Sequence, residues 1–531
     1  MEETKKKNPK LKKYILVALV VLLSLAIVTV GSLFLYLTYK YNIYEVVSTK
    51  YSSANESFSR GFGTDNNGYA KDGEEIAFLN SVYPTEQQKS LLDTEYYGFV
   101  NFGMSSISRT LTSDGKEDPK SFNPQNVSTE QWCKSLNAAG AKGAILNVKA
   151  ADGFCLWSTD TTAHSIKNSS YKNGNGDILS EFVTSADGFN LKLGIFYSLY
   201  DMNASFYGTE QYNDYVAAQL QELVVKERTG SEIFYFLFDD TYGENIEPGF
   251  KYDYERFIGI IGEQQRYALV SFKNYSNLVH AVGDSVDSVG DEVWCVVDSQ
   301  NLNGSNNTRT ALAGKTLTFS VPEVSVNLRK GDYYSAYEKP KALYVLKQLY
   351  FKTVGYNANL MLKISPMPSG QLDPKDEKRL EELGVEIDRT LRANVRPIKV
   401  HIGNAIDLRE HTELSGLVSD SDTTQYIFPS YSAYIVEFLF TYKTKFGRID
   451  LREYFSTTQS PSTETYSQRI EAYEIWIDNN GVWKLVADRN TVGNRSIVLL
   501  RNPPSTYKVR VVIKQARGIP AIRSIVFYSK I

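Results

Sequence analysis

The stretch Ala144-Ile145-Leu146-Asn147-Val148-Lys149-Ala150-Ala151-Asp152-Gly153-Phe154-Cys155-Leu156-Trp157 decides how the chain is read. Its first half is an apolar run that follows Gly143 and a helix-like segment, the pattern of a buried strand. Strand-like runs of the same kind recur at 98–103, 191–199, 232–238, 268–272, 292–297 and 358–364. Helix-like runs lie between several of them, at 128–139, 177–186, 209–226, 252–267, 340–353 and 376–391. Strands alternating with helices call for parallel pairing through crossover connections. Seven or eight such units in roughly 300 residues fit a (β/α)8 barrel better than an open sheet. In that architecture chemistry sits where each strand gives way to its loop. This strand ends there in Ala150 and Ala151, whose methyl groups neither give nor take a proton.

Near Val395 the pattern changes. Runs at 433–442, 472–477, 482–487, 496–500, 507–513 and 524–528 are β-like, with turn signals at Asn479-Asn480-Gly481 and Pro503-Pro504 and no helical stretch. They predict an antiparallel β-sandwich over 395–531, behind a barrel over 93–394. Two folded units are what a chain of 531 residues should hold.

The N-terminus carries a different signal. Tyr14 to Tyr39 contains no charge and is dominated by Leu, Val, Ile and Ala. At ~1.5 Å rise per residue it spans a ~30 Å hydrocarbon core. A cleaved signal peptide has an apolar core of about 7–15 residues and a small-residue cleavage site. Here the run continues past Gly31-Ser32, which predicts an uncleaved anchor. Lys5, Lys6, Lys7, Lys10, Lys12 and Lys13 precede it, whereas Lys40 and Lys50 are the near positives behind it. The positive-inside rule then predicts a single-pass type II protein. Residues 1–13 form its cytosolic tail, 14–39 its transmembrane helix, and 40–92 an irregular stalk. The ectodomain lies outside the cell or in a secretory or endolysosomal lumen. Asn-x-Ser/Thr acceptors at Asn55, Asn126, Asn168, Asn203, Asn274, Asn303, Asn306 and Asn494 suit that side.

Composition excludes more than it selects. A net charge of −3 leaves no footprint for nucleic acid. Four histidines without a ligand spacing give no reason to expect a metal, and the Gly-rich signatures of nucleotide binding are absent, so no cofactor is expected. Cys133, Cys155 and Cys295 sit in or beside apolar runs and read as buried free thiols. Tyr outnumbers Trp 37 to 5, a balance that suits sugar-facing surfaces as well as plain packing.

The run Glu232 to Asp240 ends in two acids, Asp239 and Asp240. With period two, Ile233, Tyr235, Leu237 and Asp239 share a face. A carboxylate at the C-terminal end of an inward-facing barrel strand suits nucleophilic or acid-base chemistry, although such acids also cap helices.

Here the chain resembles glycoside hydrolase family 29, the α-L-fucosidases, and especially their plant-type and 1,3/1,4-specific branch. The likeness runs through Phe102-Gly103-Met104, Glu117-Asp118-Pro119 and Phe122-Asn123-Pro124 to Asp152–Trp157. It continues in His164–Lys167, Lys172-Asn173-Gly174, Gly176-Asp177 and Leu237–Glu244. Later stretches are Pro322-Glu323-Val324, Leu328–Gly331, Val354–Asn357 and Asn359–Leu362. Tyr507–Arg510 with Pro520-Ala521-Ile522 is similar to the discoidin-like sandwich that follows such barrels. The resemblance implies a retaining exo-glycosidase pair, with Asp239 at the nucleophile position and Glu292 as acid/base, carboxyls ~5 Å apart. Glu323 or Glu244 is the alternative acid.

It also implies a damaged sugar site. The family's two strand-end histidines are Ala150 and Ala151 here, and its first-strand histidine is Asn101. Tryptophans are reduced to Tyr171, Tyr200 and Leu237, while Trp157 is kept and the glycine after the nucleophile is Asp240. Three lost hydrogen bonds amount to ~2–5 kcal/mol, roughly a thirtyfold to several-thousandfold weakening towards fucose. The expectation is a membrane-anchored glycoprotein with lost or altered activity, binding a fucosylated or other glycan or a surface protein. The alternative is an active retaining glycosidase.

Overall fold

The structure, a computed structural model, describes residues 82–108, 113–225, 232–241, 249–285, 290, 293–302, 315–392, 394–403, 408–410, 417–418, 425–428, 434–457 and 465–529. The tail and anchor expected over 1–39 lie outside these residues, as do Glu244 and Glu292. Among the described residues no helix is long and apolar enough to cross a membrane.

In chain order the strands begin with β1 (Tyr96–Val100), β2 (Gly143–Lys149), β3 (Lys192–Ser198), β4 (Ile233–Asp239), β5 (Leu269–Phe272) and β6 (Val279–Gly283). An antiparallel ribbon of β7 (Val296–Asp298) and β8 (Leu317–Phe319) follows, then β9 (Val321–Asn327) and β10 (Asn359–Ile364). All but the ribbon join one parallel sheet in the order β5-β4-β3-β2-β1-β10-β9-β6. Chain neighbours are therefore sheet neighbours and β10 closes onto β1, a barrel left open only between β5 and β6. The longer helices are α1 (Glu86–Thr94), α2 (Thr129–Ala138), α3 (Ile178–Gly188), α4 (Glu210–Val224), α5 (Tyr254–Gln264), α6 (Leu343–Thr353) and α7 (Pro374–Leu391).

Both faces of the strands are buried, which is why they read as continuous apolar runs. Leu146, Val148, Ile195, Phe236, Phe238 and Leu362 point out beneath the helices, while Tyr97, Phe99, Ile145, Tyr235 and Met361 fill the bore. Between β3 and β4 the register shifts at Leu193/Gly194, so Phe234 and Tyr235 of β4 both turn inward and Ile233 packs outward instead.

Three expectations need correction. The stretch 40–92 is not irregular to its end. Thr85 and Gln88 form a capping box that starts α1, whose Leu91 and Leu92 close the barrel floor. The run at 292–297 is not a barrel strand, because its last residues, Val296 and Val297, pair with Leu317–Phe319 as the ribbon. The sixth and seventh barrel strands are instead β6 and β9, one partly exposed along its length and the other carrying Pro322 near its start, where a proline argues against a strand.

Helices are also missing where β5 meets β6. Six residues, 273–278, run from the top of β5 back to the bottom of β6. Asp240 holds their upper end through the N–H groups of Asn274 (2.9 Å) and Tyr275 (3.1 Å). At their lower end the Leu278 carbonyl accepts from Val321 N (2.8 Å) and Gln88 Nε2 (3.2 Å). This return segment takes the space in which β5 and β6 would have bonded.

The sandwich packs a six-stranded sheet, β11 (Lys399–Gly403), β12 (Leu408–Glu410), β14 (Tyr434–Thr444), β16 (Ile470–Asn479), β17 (Val482–Arg489) and β19 (Thr506–Ala516), on a second sheet. The second holds β13 (Tyr426–Ile427), β15 (Arg448–Glu453), β18 (Ser496–Leu499) and β20 (Ala521–Tyr528), with Phe438, Phe440, Ile449, Ile475 and Phe527 in the core between them. The barrel floor meets it through buried ions. Glu95 accepts from Arg452 (2.5 Å), Arg495 (2.8 Å) and Lys142 (2.9 Å), and Asp450 accepts from Arg495 (2.7 Å). Asn494, one of the expected glycan acceptors, is buried at this junction with its Nδ2 on the Leu92 carbonyl. It is closed to modification.

Candidate active site

At the mouth, the end of β2 is shaped by a bulge opposite β3 between Asn147 and Lys149. It turns Lys149 outward beneath α4, fully buried, onto Asp201 (3.0 Å), Tyr197 Oη (2.9 Å) and Gln219 Oε1 (3.2 Å). Burial alone would lower the pKa of Lys149, but the Asp201 carboxylate outweighs it and holds the value above the usual one. Gly153 follows at φ +81°, and a Cβ there would stand 2.0 Å from Asp201 Oδ1. Only glycine fits. Burial raises Asp152 to about 6, against the Phe154 N–H that it accepts at 2.9 Å. Ala150 and Ala151 lie between these fixed points, half-buried at the rim and without a polar side-chain atom.

Asn101, at the end of β1, is braced on both sides. Its Oδ1 accepts from Asn147 Nδ2 (2.8 Å) and its Nδ2 donates to the Asp332 carbonyl (2.8 Å), which Ser365 also reaches (2.6 Å). The loop after β9 is thereby drawn over the mouth, and Tyr333 comes to rest near Asn101, Ser105 and Asp152. Burial pushes that phenol up to about 12.

Asp239 ends β4 facing inward, half-buried, and its Oδ1 accepts from the backbone N–H (3.1 Å) and hydroxyl of Thr241. Asp240 turns away from the bore. Its carboxylate holds the return segment and accepts from Tyr254 Oη (3.2 Å), and burial raises its pKa. It braces the wall rather than sharing the space in front of Asp239.

The other expected contacts spread out. Trp157 is fully buried and donates to Glu222 of α4 (2.9 Å). Tyr171 is buried against Phe122, with its hydroxyl on Glu181 (3.2 Å). Neither reaches the bore. Tyr200 is half-buried, edge-on to Tyr207 at 5.0 Å. Glu323 faces inward but deep, bonded by the Tyr97 hydroxyl and close enough to raise the pKa of Tyr235. Tyr235 precedes Asp239 by four residues on one face, ~13 Å of strand, so Glu323 is no partner for Asp239 at ~5 Å. Burial raises Glu323 to about 7.

Two inward residues went unnoticed in the sequence, Asn147 and Lys363. Period two along Asn359–Ile364 was the available signal, since it places Lys363 with Met361 on the bore face. The three cysteines are buried and free, as expected.

A carboxylate facing inward at a strand's C-terminal end in a parallel barrel has the placement that barrel hydrolases use for covalent and acid-base chemistry. A family profile described as α-L-fucosidase matches residues 66–389. The chain belongs to the α-L-fucosidase family. Alpha-L-fucosidase 1 of Arabidopsis thaliana is 26% identical over 440 residues, which cover 81% of this chain and 84% of that protein. A solved candidate α-L-fucosidase of Bacteroides ovatus shares 27% identity at a TM-score of 0.72, over 89% of this chain and 78% of its own. A family 29 fucosidase of Ruminococcus gnavus, solved with fucose, has the same TM-score over 85% and 95% at 22% identity, a likeness of fold alone.

Proposed function

We propose that this chain is a glycan-recognising member of the α-L-fucosidase family in which ordinary fucoside turnover has been lost. The observation that carries the proposal is the rim at Ala150-Ala151, where the family's sugar-holding histidines have no counterpart. Asn101, the third such position, spends both polar groups on Asn147 and the Asp332 carbonyl. Asp239 keeps the nucleophile position, with Glu292 the acid/base by resemblance, and that retention supports the alternative of a glycosidase with changed specificity. Aryl α-L-fucosides and a panel of other aryl glycosides, offered to the full-length chain and to Asp239→Ala, test the two readings. Turnover indistinguishable from Asp239→Ala on every sugar is expected. Fucoside turnover of ordinary size that vanishes in Asp239→Ala would overturn the proposal.

The anchor is proposed on the uncharged run 14–39 and the lysines before it. Protease added to the cytosolic side should spare a C-terminal tag, and its degradation would reverse the orientation.

A further inference from the structure

Lys363 is a cation without an ion pair among the described residues. It stands half-buried on the inward face of β10, and its Nζ, 5.5 Å from the centre of the Phe99 ring, makes no hydrogen bond or ion pair among the described residues. Its place relative to Asp239 follows from the register. Through the ladders Lys363 pairs with Phe99, Phe99 with Ile145, Ile145 with Gly194, and Gly194 with Tyr235. Side chains at equal depth advance one residue per strand, as the Phe99–Phe196 contact at 5.3 Å shows across two strands. Four strands on, Tyr235 plus four residues is Asp239. In the sheet order β10 and β4 are four strands apart, opposite walls of an eight-stranded ring. Lys363 therefore faces Asp239 across the bore. Asn147, two residues beyond Ile145, stands at the same depth, and its Oδ1 is buried without a partner among the described residues.

Glu323, a layer deeper, is the carboxylate that senses the lysine, and burial leaves it only partly ionised near neutral pH. An exo-acting family presents the anomeric carbon to the strand-end carboxylate. The substituents opposite, on C3, C4 or C5, would then meet Lys363. We propose that the pocket accepts an anionic pyranose, one bearing a sulfate ester or a carboxylate on the side away from its anomeric carbon. This deepens the glycan-recognition proposal and rests on it.

Calorimetry on the full-length chain tests it with L-fucose, L-fucose 4-sulfate, methyl α-L-iduronoside and sodium sulfate. A charge-assisted contact predicts that an anionic sugar binds about 10- to 100-fold more tightly than L-fucose. The preference should shrink between 50 and 500 mM salt, vanish in Lys363→Gln and survive in Lys363→Arg. Whichever anion binds more tightly identifies the group. Equal affinity for L-fucose and both anionic sugars, sodium sulfate binding as well as the sulfated sugar, or a preference that survives Lys363→Gln overturns the inference and leaves glycan recognition standing. Failure of every sugar to bind removes both. The comparison among sugars on the unmodified chain decides the matter even where a variant does not fold.

Discussion

The two ends of the barrel treat charge in opposite ways. At the floor Glu95 meets three cations, and Arg495 is shared with Asp450, all of them buried except the half-exposed Lys142. At the mouth Asp239 and Lys363 face one another from opposite walls with the bore between them. Matched ions hold a joint together, whereas unmatched ones are available to a ligand. The contrast follows the division of labour in such barrels, with stability at the N-terminal face and chemistry at the C-terminal one. It also means that a change at either of these two bore-facing residues costs the fold little.

Glu95→Gln should break the floor most severely, because it strands Arg452 and Arg495 in the interior. A loss of about 3–5 kcal/mol is expected, read from the urea midpoint. The acid side sharpens the comparison. Burial opposes the Glu95 charge, yet the fields of Arg452, Arg495 and Lys142 prevail and hold the carboxyl well below its usual range. An unfolded glutamate titrates near pH ~4.3. The native state thus binds fewer protons below that pH, and the group's stabilisation, complete above it, is lost as pH falls through the folded value. The variant's acid limb should be flatter, and an unchanged limb would show that these ions do not secure the joint.

Gly153→Ala probes scaffolding that lies at the mouth. Left-handed strain and the clash with Asp201 should together cost about 2–4 kcal/mol, measured by the same midpoint. A neutral outcome would mean that the turn after Ala150-Ala151 is as free as the alanines themselves. Next in size, Ala150→His with Ala151→His should restore two polar contacts to fucose and tighten its binding by ~1–3 kcal/mol in calorimetry. Asn101 is left alone because its amide braces the Asp332 loop. The smallest effect belongs to Asp239→Asn. A carboxylate with no ion pair among the described residues predicts a stability change within about 0.5 kcal/mol. A large loss would place Asp239 among the structural ions and erase the contrast.

Most of the barrel was legible because both-face burial writes a strand as an apolar run, as at 144–148 and 232–238. β6 and β9 were not. Val279–Gly283 is too exposed to read as a continuous apolar run, and Pro322 interrupts the other. The inward carboxylate Asp239 could be read from its strand-end position, and the bare rim from its alanines. Trp157, Tyr171 and Asp240 could not be sorted that way. An aromatic or acid near a strand end looks the same in sequence whether it faces the bore or the helices, and here Glu222, Glu181 and the N–H groups of 274–275 draw them aside. Lys363 was hidden for the converse reason, a single charge in a run otherwise suited to packing.

The open join between β5 and β6 makes the barrel a split ring rather than a hoop. In a hoop any widening must stretch every ladder at once. A split ring concentrates deformation at its cut, and here the cut is bridged by a strap of six residues clasped at one end by Asp240 and at the other by Leu278. Amide hydrogens of 269–272 and 279–283 should exchange with solvent sooner than those of β1 and β2 on the far wall. A guest too wide for the bore would strain this clasp before it strained the strand ladders that make up the rest of the circle.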